Sequence, residues 1–226
     1  GENKRSLKKI YLTASGGPFK DTPKQDFKNI SIKEVLRHPR WRMGRKITVD
    51  SATLMNKGLE LLETMHLFGV SSEMVEIIIH PEAIVHSMVE FNDGVVIGQM
   101  SQADMRIPIQ FALTYPARLK NRIKGLDFTK LKSLNFEAPD FKKFPSLGLA
   151  YEAARKLGTL PAVMSAANEI AVEEFLKHKI KFDHIPEVVA KVMRRHSLKR
   201  LPILSEILCA DHWARSEARE VIERLN

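Results

Sequence analysis

Five polar side chains between residues 50 and 60 have the types and the spacing to do chemistry together. The stretch "ITVDSATLMNKGLELLETMHLFG" (residues 47–69) sets Asp50 and Ser51 just ahead of a helical pattern. That pattern brings Thr53, Asn56, Lys57, Glu60 and Thr64 into one arc of roughly 100°. Ser51 is placed to cap the helix. Helix N-termini attract anions through unpaired N–H groups and the dipole. A phosphate could take hydrogen bonds from Ser15, Ser51 and Asn56 and charge from Lys57. Glu60, one turn beyond Asn56, offers a hard oxygen to a divalent cation. On spacing alone Glu60 is more readily a surface carboxylate, because one carboxylate does not make a metal site.

Two further segments carry candidate groups. "TASGGPF" (13–19) ends a strand with Ser15 and two glycines, a turn that can expose a hydroxyl and backbone N–H groups to a phosphate. In isolation it reads more simply as a tight turn. "HPRWRMGRK" (38–46) is irregular, broken by Pro39 and Gly44. A flexible loop carrying His38 and Trp41 could close over a ligand; alone, a packed Trp and an exposed His are the simpler reading. His80 and His86 flank a turn without a metal-binding spacing and read as satisfied sheet histidines. The sequence holds no readable Ser/His/Asp or Cys/His nucleophile and no G-x-G-x-x-G or Walker motif.

The elements that must position these groups follow from pattern. "KIYLT" (9–13) is a buried strand. Ser31 with Glu34 has the spacing of a capping box ahead of a short helix. "ITVD" (47–50) is strand-like, and the helix after it stacks Leu54, Met55, Leu59, Leu61, Leu62, Met65 and Phe68 on one side until Gly69 ends it. "VEIIIH" (75–80), "VHSMVEF" (85–91) and "VVIGQM" (95–100) are strands, the last two joined by an Asn92-Asp93-Gly94 turn. "PIQFALTYP" (108–116) is helical. Residues 117–145 lose periodicity, and residues 146–157, 162–178, 185–196 and 203–225 read as helices of a small bundle. The fold class is therefore α+β: a mixed sheet with helices over residues 1–116, a connecting arm over 117–145, and a helical domain over 146–226.

Composition narrows the function classes. The 226 residues are 44% hydrophobic and 28% charged, enough for a sizeable core. No apolar run approaches the roughly 20 residues that span a bilayer, and "GENKRSLKK" has no apolar h-region of a secretory signal. One cysteine, Cys209, forms no internal disulfide and suits a reducing, cytoplasmic setting. The net charge of +9 is dispersed. Its densest runs, 120–124 and 194–200, lack the aromatics of a nucleic-acid site, so neither nucleic acid nor membrane is expected as a partner.

"LTASGGPF", "HPRWRMGRKITVDSATLMNKGLE", "IIIHPEAIVHSMVEFNDG", "ADMRIPIQFALTYP" and "AANEIAV" occur in this order. Together they resemble the 1-deoxy-D-xylulose 5-phosphate reductoisomerase family over nearly the whole chain. The resemblance implies an NADPH-dependent enzyme of non-mevalonate isoprenoid biosynthesis that uses Mg²⁺ or Mn²⁺. It would rearrange a sugar phosphate and reduce the resulting aldehyde to 2-C-methyl-D-erythritol 4-phosphate. By motif it implies Ser15, Ser51, Asn56 and Lys57 as phosphate ligands, and Glu60 as a metal ligand that also contacts substrate. His38 would be a substrate contact of a mobile loop, Trp41 would lie over the substrate, and Gly44 would be a backbone contact to NADPH. It also implies a homodimer. The family's Rossmann-type NADPH domain, and an Asp, a Ser-Glu pair and a Lys near it, have no counterpart in these residues. The chain thus resembles the C-terminal part of the enzyme, and alone it is expected to be inactive. A sugar-phosphate binding module without redox chemistry is the alternative, separated by whether phosphate binding comes with catalysis. A basic nucleic-acid module would instead show a steep salt dependence.

Overall fold

The computed structural model describes residues 4–37 and 44–225. The chain divides into two compact units, each drawn from two stretches of sequence: Gly1–Ser15 with Glu76–Ala138, and Gly16–Val75 with Pro139–Asn226.

The first unit is built on a four-stranded sheet of β1 (Leu7–Ala14), β2 (Val75–Ile79), β3 (Val85–Phe91) and β4 (Val96–Met100), in the order β2-β1-β3-β4. β3 runs antiparallel to both of its neighbours, with Leu12 opposite Ser87 and Val89 opposite Ile97. The His80 amide donates to the Ala14 carbonyl at 2.7 Å, so the C-terminal ends of β1 and β2 lie side by side and the sheet is mixed. The β3–β4 turn is closed by the Phe91 amide on the Val95 carbonyl (2.9 Å) and by the Asp93 carboxylate, which accepts from the Val95 amide. Gly94 at φ 84° takes the position that a side chain would strain. α4 (Arg106–Thr114) follows. No regular element is assigned between it and Ala138, but Ile79 and Glu137 exchange two backbone hydrogen bonds of 2.8 and 2.9 Å. His80 is fully buried, with Nδ1 2.8 Å from the Asn135 carbonyl and Nε2 accepting from the Ile84 amide. His86 is satisfied by Ser101. Both are structural histidines, as their spacing suggested.

The second unit holds α1 (Ile32–Val35), α2 (Arg45–Thr53), α3 (Met55–Phe68), α5 (Pro145–Lys156), α6 (Leu160–Leu176), α7 (His184–Arg195) and α8 (Leu204–Glu223). The Ser31/Glu34 capping box is formed. α6 is buried on nearly every side, from Leu160, Val163 and Met164 to Ile170, Val172 and Phe175, as a helix at the centre of a bundle must be. Phe182 meets Phe19, Phe27 and Phe175 with ring centroids 5.3–5.9 Å apart. These aromatic contacts anchor the segment beyond the Gly-Gly turn. Among the described residues, no helix is long and apolar enough to cross a membrane.

The structure corrects two expectations. "ITVD" is not a strand: it lies inside α2, where Thr48, Val49 and Asp50 are buried. A run of β-branched residues has strand propensity, but tertiary burial overrides so weak a preference. The Thr48 hydroxyl also donates back to the Gly44 carbonyl at 2.9 Å, a bond that the helix permits. Ser51 consequently does not cap the long helix. It sits in the last turn of α2, and Leu54, at φ 60° and ψ 9°, is the joint between α2 and α3. Gly69 ends α3 in the left-handed conformation, as expected.

α3 approaches α5 closely at Gly58, where an added Cβ would fall 2.5 Å from the Ala150 Cβ. Gly58→Ala should therefore destabilise the protein by about 1–3 kcal/mol, the range for overpacking a filled core. Thermal unfolding would read this as a lower midpoint; an unchanged midpoint would mean that the two helices separate freely.

Candidate functional site

α3 carries three of the candidate residues. Helical spacing puts Asn56, Lys57 and Glu60 on one face, and the structure brings them into contact: the Asn56 amide donates to Glu60 Oε1 at 2.7 Å, and Lys57 Nζ to Glu60 Oε2 at 2.6 Å. The Lys57 and Glu60 side chains are 19% and 32% exposed, reachable by a ligand yet partly desolvated. Leu54 itself offers no side-chain cap to α3, and the first amide of the helix, that of Met55, donates to the Thr53 hydroxyl at 3.3 Å. A donor and a cation thus converge in the first turns of α3, the side-chain chemistry of an anion site.

Ser51 is half-buried in the α2 turn that leads into this N-terminus. Behind it stands Gly17, at φ 70°, where a Cβ would lie 2.8 Å from the Ser51 carbonyl oxygen. Glycine is required there twice over, by conformation and by space. The second glycine of "TASGGPF" is therefore pressed against the Ser51 backbone, across a sequence gap that neither motif alone bridges. Ser15, half-buried, directly follows β1 and precedes Gly16. Gly17→Ala is expected to cost at least about 1–2 kcal/mol, the scale of a left-handed conformation for a residue with a Cβ, and to weaken phosphate or sulfate binding. Chemical denaturation and anion titration would measure both. Unchanged values would mean that the turn is not seated on Ser51.

Gly44 is exposed at the start of α2, and among the described residues nothing lies where a side chain would be. His38 and Trp41 lie outside the described residues. Among the described residues, no group of three His, Cys, Asp or Glu could hold a metal. Glu60 would therefore supply one hard oxygen ligand, with the remaining ligands coming from other groups.

One feature of the site escaped the sequence. Asp50, 1% exposed, is held by Lys46 Nζ at 2.6 Å on its own helix and by the Asn168 amide at 2.8 Å on α6. Burial pushes the Asp50 carboxyl up from its ordinary value, while Lys46 and Asn168 pull it back. The available signal was Asn168 itself, an amide in the apolar run of "AANEIAV".

Two family models match the chain: "DXP reductoisomerase C-terminal domain" over residues 100–217 and "1-deoxy-D-xylulose 5-phosphate reductoisomerase C-terminal domain" over residues 1–68. The 1-deoxy-D-xylulose 5-phosphate reductoisomerase of Acetivibrio thermocellus is 52% identical over 99% of the chain and 58% of the relative. That of Endomicrobium trichonymphae is 54% identical, with the same coverage. The chain thus spans 58% of the length of these curated relatives. Among solved structures, a reductoisomerase in complex with NADPH, fosmidomycin and magnesium superposes with a TM-score of 0.92 at 41% identity, over 97% of this chain and 56% of that one. The Zymomonas mobilis enzyme in complex with NADPH gives 0.90 at 42% identity, over 98% and 57%.

Proposed function

Because the chain belongs to the 1-deoxy-D-xylulose 5-phosphate reductoisomerase family, we propose that it forms the phosphate-holding and metal-contacting part of an enzyme that converts 1-deoxy-D-xylulose 5-phosphate to 2-C-methyl-D-erythritol 4-phosphate. The observation that carries this reading is the contact of Asn56 and Lys57 with Glu60 at the start of α3.

The substrate phosphate would be held by the hydroxyls of Ser15 and Ser51, the amide of Asn56 and the ammonium of Lys57. Charge-assisted hydrogen bonds of this kind are the stronger class. As Lys57 and Asn56 turn to the phosphate, both Glu60 oxygens lose their present donors and become available to a divalent cation and to the substrate. His38 and Trp41 would cover the sugar chain, and the open backbone at Gly44 would face NADPH. When bound, Mg²⁺ or Mn²⁺ would polarise the substrate oxygens and NADPH would supply the hydride. A phosphate anchored at one end fixes the distance of the reacting carbons from Glu60, so binding energy remote from the chemistry serves orientation.

A homodimer fits the edge strand β4, where Val96 and Ile97 are 48% and 55% exposed; an apolar edge of this kind invites pairing. Light scattering should show a dimer, and Ile97→Lys should weaken it. A monomer at micromolar concentration would remove this assignment. The single exposed Cys209 suits a reducing cytoplasm.

The direct test is NADPH oxidation by the complete protein with 1-deoxy-D-xylulose 5-phosphate and Mg²⁺ or Mn²⁺. Metal-dependent turnover is expected. Binding of the sugar phosphate without turnover would leave a binding module instead.

A further inference from the structure

We infer that Asn168 is a positioning residue for the phosphate site: from α6 it clamps Asp50 and so fixes the last turn of α2, where Ser51 lies. The inference rests on the reading of Ser51 as a phosphate ligand.

Asn168 is fully buried, and its neighbours along α6 are Ala166, Ala167, Ile170, Ala171 and Val172, all buried. One end of its amide donates to Asp50 Oδ1 at 2.8 Å; the other, Oδ1, is buried without a hydrogen-bond partner. An orphaned buried acceptor is costly. A leucine would fill the same space without that cost, so packing alone does not account for an amide here. What the amide does, and a leucine cannot, is fix a buried carboxylate. Asp50 links α2 to α6 through Asn168, and its second oxygen is tied to Lys46 on its own helix. The carboxylate is thus held from two directions, and the rotation of α2 about its axis is referred to the bundle.

That rotation matters because Ser51 is the very next residue. Its carbonyl is seated against Gly17, and the chain turns at Leu54 into the helix that carries Asn56, Lys57 and Glu60. If α2 rolled, the Ser51 hydroxyl would move relative to Lys57 while each helix stayed intact. A clamp at Asp50 suppresses this motion at its source.

The test uses the complete enzyme and steady-state kinetics with 1-deoxy-D-xylulose 5-phosphate and with its unphosphorylated analogue. Asn168→Leu should raise KM for the phosphorylated substrate about tenfold, the low end of what removing the support behind a ligating group costs. kcat should be little changed, as should kcat/KM for the analogue. Asn168→Asp, which sets a second carboxyl beside Asp50, should do at least as much. The exchange Asp50→Asn with Asn168→Asp keeps one amide and one carboxylate in contact and should recover most of the loss. A merely structural role would lower both substrates together and would not be rescued by the exchange; that result would overturn the clamp. An unchanged KM in Asn168→Leu beside a raised one in Ser51→Ala would overturn it too. An unchanged KM in Ser51→Ala would overturn both the clamp and the phosphate reading beneath it. Should Asn168→Leu not fold, Asn168→Asp and the exchange decide the question in the same way.

Discussion

Glu60→Gln is expected to remove most turnover from the complete enzyme, by more than the about 10–100-fold that losing a residue behind a ligand costs. The amide keeps the shape of the side chain, so packing against α3 is not the issue. It loses the charge that a hard divalent cation requires, and it presents a donor to Lys57, from which Glu60 now accepts at 2.6 Å. Metal titration with Mn²⁺ should show weaker binding, and a higher metal concentration should recover part of the rate. Unchanged metal affinity with lost activity would reassign Glu60 to the substrate alone. Unchanged activity would remove it from the site.

The second large effect is expected from Lys57→Ala. A hydrogen bond to a charged group is worth about 1.5–3 kcal/mol, so KM for the phosphorylated substrate should rise roughly 10- to 150-fold. The unphosphorylated analogue should be affected far less, and that contrast identifies the phosphate as the group that Lys57 reads. Equal losses for both substrates would place its action elsewhere. Because Lys57 is now tied to Glu60, the variant also frees one carboxylate oxygen. Its Mn²⁺ affinity without substrate should therefore be no worse than that of the parent, which separates the two residues' roles in one experiment.

The clustering of Asn56, Lys57 and Glu60 was legible because all three lie on one helix, where a period of 3.6 residues dictates neighbours. The β3–β4 hairpin was legible from Asn92-Asp93-Gly94, and the helices after Pro145 from their apolar period. Two things were hidden. The helical state of residues 47–50 was masked by Ile47, Thr48 and Val49, whose preference was outweighed by the burial of Thr48, Val49 and Asp50. The Asp50–Asn168 contact spans 118 positions, and no local pattern reports on a pairing so distant. Gly17 stands between these cases: its identity announced a turn, but its contact with Ser51 needed the folded chain.

Leu54 has a consequence for how the site is built. It is a bulky residue held at φ 60°, a conformation that disfavours any side chain, and yet its side chain is only 2% exposed. Core burial therefore holds the backbone in a shape that it would otherwise leave, and that shape sets the turn between α2, which carries Ser51, and α3. The two halves of the proposed anion cradle are thus cocked against a spring whose catch lies in the hydrophobic core. Under the proposed phosphate reading, core packing around Leu54, out of reach of any ligand, would set how much phosphate binding must spend on arranging its own receptor.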